Sequence, residues 1–317
     1  MKKLIAPLFL ILSLVLSLVT NVSILQVQAQ EKIKIGILQT VEHTALNAVV
    51  EGFQTQLNES VLKDRIEWDV QNANGDLTAM QSMAEKLARD NDILLAVATP
   101  AAQALAAVES EKPIFIAAVA DPVKAGFAES LESSGRNVTG TSNMSPTEEQ
   151  VALLQKNFPD VKTVGLIYNA SEVNSQVQVE RAQKAFEAAG IKLELGTVTS
   201  TNDVSQVMQA LVEKSQAIFL VTDNTVDSAI NLVGDLAKEA KLPVVGSADT
   251  TIAANGLMTL SYPYLDYGKQ TADMVVRLVE ENLAPADMPI ELAKEWQLFV
   301  NEDYAKAIGI DPADIKE

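Results

Sequence analysis

Ile93-Leu-Leu-Ala-Val-Ala-Thr-Pro-Ala-Ala-Gln-Ala-Leu105 and Ile218-Phe-Leu-Val-Thr-Asp-Asn-Thr-Val-Asp-Ser-Ala-Ile230 run in step, without a gap, in opposite halves of the chain. Each is an apolar run of strand length, then a polar tip, then a helical pattern. Apolar runs that lack polar alternation suit parallel strands covered on both faces. Working outward, Lys112-Pro-Ile-Phe115 pairs with Leu242-Pro-Val-Val245, and Ile35-Gly-Ile-Leu38 pairs with Val164-Gly-Leu-Ile167. Three pairings in the same order predict two similar halves related by a pseudo-two-fold axis.

The remaining punctuation agrees. Strands are expected over 33–39, 66–71, 93–98, 114–119, 163–169, 191–197, 217–222, 243–246 and 257–261. Helices are expected between them, at 44–58, 76–89, 148–158, 173–189, 203–214 and 225–240. Leu46, Val49, Phe53 and Leu57 recur at helical spacing, Asp76 stands where a helix N-cap belongs, and Gly190 stands where a helix stops. Strand–helix alternation of this kind reads as an α/β fold: two doubly wound parallel-sheet lobes with a hinge and a central cleft. The expected lobes are 30–141 with about 255–289, and 142–254 with about 290–317. The chain should cross near Val138–Asn143, near Ala248–Ser261 and again from Ile290.

Composition removes several classes. The 317 residues carry 24 Lys+Arg, 42 Asp+Glu, one His and no Cys, for a formal net charge of −18. With no cysteine there is no disulfide framework, thiolate metal site or cysteine nucleophile. The acidity argues against a nucleic-acid binder, which needs a basic face to neutralise phosphates, and a single histidine excludes a His-rich metal site. No cofactor, metal or catalytic residue is expected. Met1-Lys-Lys3 followed by the apolar run Leu4–Val19 and the small residues of Val27-Gln-Ala29 reads as an export leader. Residues 1–29 are thus a signal peptide or an N-terminal anchor. The protein is expected outside the cytoplasm: periplasmic, secreted or anchored on the outer face.

In an open α/β sheet, ligands bind beyond the carboxyl ends of the strands. The polar residues there are Gln39, Glu42 and His43; Thr99, Pro100 and Ala101; Asp121; Ser142 and Asn143; Tyr168, Asn169, Ser171 and Asn174; Asp223 and Asn224; and Ser247. Each alone can be a helix cap or turn residue, but six such loops are expected to converge on one cleft. A ligand carboxylate is placed at the helix start Pro100-Ala101 beside the Thr99 hydroxyl. A ligand ammonium is placed on Asp223, oriented by Asn143 and Asn224. His43 has no G-x-S-x-G serine to serve. Asn72-Ala-Asn-Gly-Asp76 opens like a calcium loop but has Met83 where the bidentate Glu belongs. The two tryptophans and five tyrosines read as too scattered for a stacking platform, with Tyr262 a neighbour of the cleft.

Taken together, Gly36-Ile-Leu-Gln-Thr-Val-Glu-His43, Ala98-Thr-Pro-Ala-Ala-Gln103, Ala120-Asp-Pro-Val123, Asn137-Val-Thr-Gly140, Ile167-Tyr-Asn-Ala-Ser-Glu172 with Asn174-Ser175, and Thr222-Asp-Asn224 resemble the ABC-transporter substrate-binding proteins that include tryptophan- and tyrosine-binding members. The resemblance implies a type I periplasmic-binding-protein fold, an ABC permease as membrane partner, and an amino acid, foremost an aromatic one, as ligand of a monomer. It departs from many Gram-positive relatives in lacking a lipidated Cys. A binder of a branched-chain amino acid or another small metabolite, and a secreted hydrolase, stay open as alternatives.

Overall fold

The computed structural model describes residues 31–317. The expected leader, residues 1–29, lies outside the described residues. Among the described residues, no helix is long and apolar enough to cross a membrane.

The strands begin and end close to the apolar runs. They are β1 (Ile33–Gln39), β2 (Ile66–Asn72), β3 (Ile93–Val97), β4 (Ile114–Val119), β5 (Val138–Ser142), β6 (Thr163–Asn169), β7 (Lys192–Val198), β8 (Ala217–Leu220), β9 (Val244–Gly246), β10 (Met258–Ser261), β11 (Ile290–Glu291) and β12 (Gln297–Val300). Among the described residues they form two six-stranded sheets, ordered β11-β5-β4-β3-β1-β2 and β12-β10-β9-β8-β6-β7. Every neighbour in the first sheet is parallel. The second is parallel except for β12, which runs antiparallel to β10 at the edge.

Sheet membership moves the lobe boundaries expected at about 255 and about 290. β10 pairs with β9 in the second sheet, so the crossing falls at Tyr262-Pro263, directly after the stretch 248–261 near which it was expected. β11 pairs with β5 through Ile290↔Gly140, so the last crossing follows Glu291. The reason is pairing between residues far apart in sequence, which a local apolar pattern does not encode.

Caps behave as their chemistry dictates. Asp76 accepts from the Thr78 and Ala79 amides at 2.8 and 2.9 Å, stopping two N–H groups at the start of Leu77–Asp90 from going unpaired. Gly190, at φ 68°, closes Val173–Ala188. The single helix expected over 225–240 is two, Asn224–Ser228 and Ile230–Glu239, broken at Ala229. The Ser228 hydroxyl donates to the Asn224 carbonyl at 2.7 Å, a side-chain bond back onto the preceding turn of the kind that competes with regular helix.

A helix pair fixes the geometry of the cleft. Thr44–Glu59 and Tyr264–Glu281 pack face to face, and each presents a glycine at the crossing. A methyl group at Gly52 would collide with the Leu265 carbonyl, and one at Gly268 with the Val49 carbonyl. Backbones this close need glycine. The start of the first helix, at His43, and the start of the second, at Tyr264, are thereby held in register. Around the pair, Phe53, Leu57, Val49, Tyr267 and Val275 are fully or almost fully buried in the core of the first lobe. Phe186 and Phe219 anchor the second core edge to face, with ring centroids 5.2 Å apart.

Candidate functional site

Between the carboxyl ends of the two sheets lies a narrow cavity of about 10 Å³, room for about one water molecule in this closed arrangement. The first lobe contributes His43, Leu46, Ala118, Ala120 and Tyr264. The first crossover contributes Asn143, and the second lobe contributes Asn174, Thr222, Asn224 and Asp227. Both halves of the chain therefore meet at one small space, with apolar walls on the first-lobe side and amides and a carboxylate on the other.

Several polar atoms here are buried and have no protein partner: His43 Nδ1, Asn143 Oδ1 and Asn174 Oδ1. Leaving a buried polar group unmatched costs about 1–3 kcal/mol, and three around one cavity mark it as a place for polar recognition. Their other atoms are engaged. His43 Nε2 lies 3.5 Å from Asn224 Oδ1, joining the two lobes. Asn143 Nδ2 donates to the Tyr264 hydroxyl at 2.5 Å. Asn174 Nδ2 donates to the Thr222 carbonyl and to Glu172, both at 3.1 Å. Burial pushes the His43 imidazole down to about 4, against a weaker upward pull from Asn224, so the ring is neutral at pH 7. A neutral imidazole has one donor and one acceptor to offer.

The second lobe supplies three carboxylates in close association. Asp227 lines the cavity and accepts from the Ser247 hydroxyl at 3.0 Å. Burial, and then the charge of Asp223, hold it well above the usual carboxylate range. Asp223 accepts from the Asn169 amide at 2.6 Å, the Ser175 hydroxyl at 2.7 Å and the Val226 amide at 2.9 Å. Burial and the neighbouring Glu172 push it up to about 6. Glu172 accepts from the Asn224 side chain at 2.5 Å and the Thr225 hydroxyl at 3.0 Å, tying the starts of two helices together. None of the lysine and arginine ion pairs among the described residues involves these acids. An acidic cluster beside a cavity favours a cationic group within it.

Of the residues expected at the site, His43, Asn143, Asn174 and Asn224 line the cavity. The others are placed differently. Asp223 is fully buried and occupied by three donors, and the cavity carboxylate is Asp227, one helical turn further on. The helix start Pro100-Ala101 is capped from within: the Ala101 amide donates to the Thr40 hydroxyl at 3.1 Å. That removes the donor assigned to a ligand carboxylate, while the Thr99 hydroxyl stays buried and unpartnered. Gln39 donates to Asn47 at 2.8 Å and to the Val41 carbonyl at 2.9 Å, facing an open groove along Thr44–Glu59. Glu42 and Ser171 are exposed. Asp121 accepts from the Lys124 amide, closing a turn. Ser142 donates to the Ala120 carbonyl at 3.0 Å. Tyr168 packs against the second core, and Asn169 is held by Asp223 and by Thr225. Ser247 reaches the site only through Asp227.

The sequence reading missed Leu46, Ala118, Ala120, Asp227 and Tyr264, and met Thr222 only at a strand end, in the Thr222-Asp-Asn224 stretch that carries the family resemblance. Asp227 had a signal, since it follows Asp223 by four residues on a helix. Tyr264 had one too. Three of the five tyrosines fall within 262–267, and they pack edge to face with centroids 4.8 and 5.5 Å apart rather than being scattered. Ala118 had none, because its exposure to the cavity follows from a backbone irregularity.

Comparison with known proteins agrees with this geometry. The family described as ABC transporter substrate binding protein matches residues 34–315. A tyrosine-binding protein from Clostridioides difficile is 32% identical over 279 residues, covering 87% of this chain and 81% of that one. The crystal structure of an ABC domain in complex with L-Trp from Streptococcus pneumoniae superposes with a TM-score of 0.85 at 34% identity, covering 89% of this chain and 96% of that one. The ligand-free, open structure of a substrate-binding protein with adhesive properties from Clostridium difficile gives a TM-score of 0.68 at 37% identity, covering 88% of this chain and 95% of that one. The architecture is the type I periplasmic-binding-protein fold, and members of the matched family bind solutes rather than transform them. With two matched lobes, a cavity between them and a family match across almost all the described residues, this chain belongs to the ABC transporter substrate-binding protein family.

Proposed function

We propose that the protein captures a free amino acid, foremost an aromatic one, outside the cytoplasm and presents it in a closed cleft to an ABC permease for import. The observation that carries this reading is the cavity itself. Buried polar atoms from both lobes meet there beside an acidic cluster that takes part in no ion pair among the described residues. Asp227, with the amide oxygens of Asn143 and Asn174, is suited to accept from a ligand ammonium. His43, neutral and with its Nε2–H turned to the Asn224 amide oxygen, leaves Nδ1 as a further acceptor for the ligand ammonium. The Leu46, Ala118 and Ala120 walls suit an apolar side chain.

Closure is supported by the direct meeting of the lobes at His43 and Asn224. It is also supported by the higher TM-score with the L-Trp complex, 0.85, than with the open ligand-free relative, 0.68, although the latter is slightly more similar in sequence. Burying an aromatic ring removes about 150–250 Å² from water and would supply much of the affinity. The expected leader would carry the chain across the membrane.

Thermal unfolding with each of the twenty amino acids tests the reading. At 100 times its dissociation constant a ligand adds about 2.7 kcal/mol of stability, a shift of several degrees. A shift with L-Trp, L-Tyr or L-Phe is expected. Shifts confined to branched-chain amino acids would replace the aromatic assignment with the branched-chain one.

A further inference from the structure

β4 carries a bulge at the cavity. Ile114, Phe115 and Ile116 pair with Val138, Thr139 and Gly140 of β5, but the next pair is Val119↔Ser142. Ala117 and Ala118 of β4 thus stand against Thr141 alone in β5, one residue extra, and the added length turns the backbone at Ala118 to φ 57°. That region is natural for glycine and strained for any residue with a Cβ. The bulge is fastened on all sides. The Ala98 amide donates to the Ala117 carbonyl at 2.9 Å, the Asn143 amide to the Val119 carbonyl at 3.2 Å, and the Ser142 hydroxyl to the Ala120 carbonyl at 3.0 Å. Ala118 and Ala120 both line the cavity, and neither exposes more than 6% of its surface.

We propose that Ala118 is a specificity-determining residue: its methyl group, turned into the cavity by the β4 bulge, sets the largest ligand side chain that the closed cleft accepts. The inference deepens the amino-acid-binding reading and rests on it. Glycine at this position would relieve the backbone but open the wall by one methyl group. A larger residue would close the wall and strain the backbone further. Alanine is the one small apolar residue that accepts the strain and still narrows the space. The bulge also couples the wall to Asn143, whose main chain it holds and whose side chain faces the same cavity.

The test compares L-Trp and L-Phe by calorimetry in the unmodified chain, Ala118→Gly and Ala118→Ser. In Ala118→Gly the Trp:Phe affinity ratio is expected to rise by about fourfold, the effect of one buried methyl group, with the unfolding midpoint of the ligand-free protein kept or raised. In Ala118→Ser the ratio is expected to fall. The serine variant decides alone if the glycine variant fails to fold. A ratio unmoved in the folded variants, with binding intact, overturns the role of Ala118 and leaves the amino-acid reading standing. An unmodified chain that binds neither amino acid overturns the aromatic reading and this inference with it.

Discussion

The side-chain amide of Asn143, on the first crossover, donates to the hydroxyl of Tyr264, directly after the second crossover, at 2.5 Å. The two strands of the hinge are thereby tied to each other at the wall of the cavity. Tyr264 is also tied to the second lobe, because its main-chain amide donates to the Asp249 carboxylate at 3.1 Å. A ligand that touches Asn143 or Tyr264 touches the hinge itself. Tyr264→Phe keeps the ring against Tyr267 and removes only the hydroxyl. With both ends of the buried Asn143 amide then unmatched, stability should fall by about 1–3 kcal/mol in urea unfolding, and amino-acid affinity should fall with it in calorimetry.

Asp227 and Asp223 should separate when mutated. In Asp227→Asn the amide oxygen can still accept from Ser247, so the fold survives while the amino-acid-induced thermal shift is lost. Because the folded protein holds the Asp227 proton to higher pH than the unfolded chain does, native stability falls as pH rises through that window. The asparagine variant lacks this loss, so its melting temperature relative to the unmodified protein should increase from pH 5 to pH 8. Asp223→Ala should instead lose the cap of Asn224–Ser228, about 1 kcal/mol from that bond alone, and retain measurable binding at pH 5. Binding abolished in Asp223→Ala but intact in Asp227→Asn would reverse the assignment.

His43 and Asp223 pull the pH profile in opposite directions. The imidazole is lowered from 6.5 to about 4, so the unfolded chain binds the extra proton between those values and stability rises with pH across them. Asp223 is raised from 3.8 to about 6, so its contribution falls with pH over nearly the same range. The two slopes offset each other in the unmodified protein. His43→Gln removes one of them, and the stability difference between the unmodified protein and this variant should grow by up to about 3 kcal/mol from pH 4 to pH 6.5. A difference independent of pH in urea titrations would mean that the imidazole is not held neutral by burial.

Gly268→Ala tests the helix crossing that positions both His43 and Tyr264. The added methyl group meets the Val49 carbonyl, and backbone yields less readily than side chain. A loss of about 1–3 kcal/mol is expected, with weakened amino-acid binding because the starts of both helices shift. Unchanged stability would show that the pair packs more loosely than the structure describes.

Much of the architecture was legible because buried parallel strands announce themselves. β1, β4 and β6 start and stop at the residues where their apolar runs do, for a strand covered on both faces has no polar position to spare. β11 and β12 were not legible. Two to four residues carry too little pattern, and their places come from partners such as Gly140 and Met258 far away in the chain. Within the site, His43, Asn143, Asn174 and Asn224 could be read because they follow strands that point at the cleft. Asp223, expected to hold a ligand ammonium, caps a helix and is engaged by three protein donors; a polar residue after a strand serves equally as a cap and as a ligand contact, and only the rotation of a helix tells the two apart.

The amino-acid sequence by itself determined the repeated strand–helix unit, the two lobes and the loops that face one another, because these follow from periodicity and from the direction of parallel strands. Only the tertiary structure decided which side chains enter the cavity. Asp227 replaces Asp223 there through one turn of helix, Tyr264 arrives because two glycines let its helix approach another, and Ala118 is turned inward by a bulge. Each depends on how separate segments meet in space, and no local stretch of sequence contains that meeting.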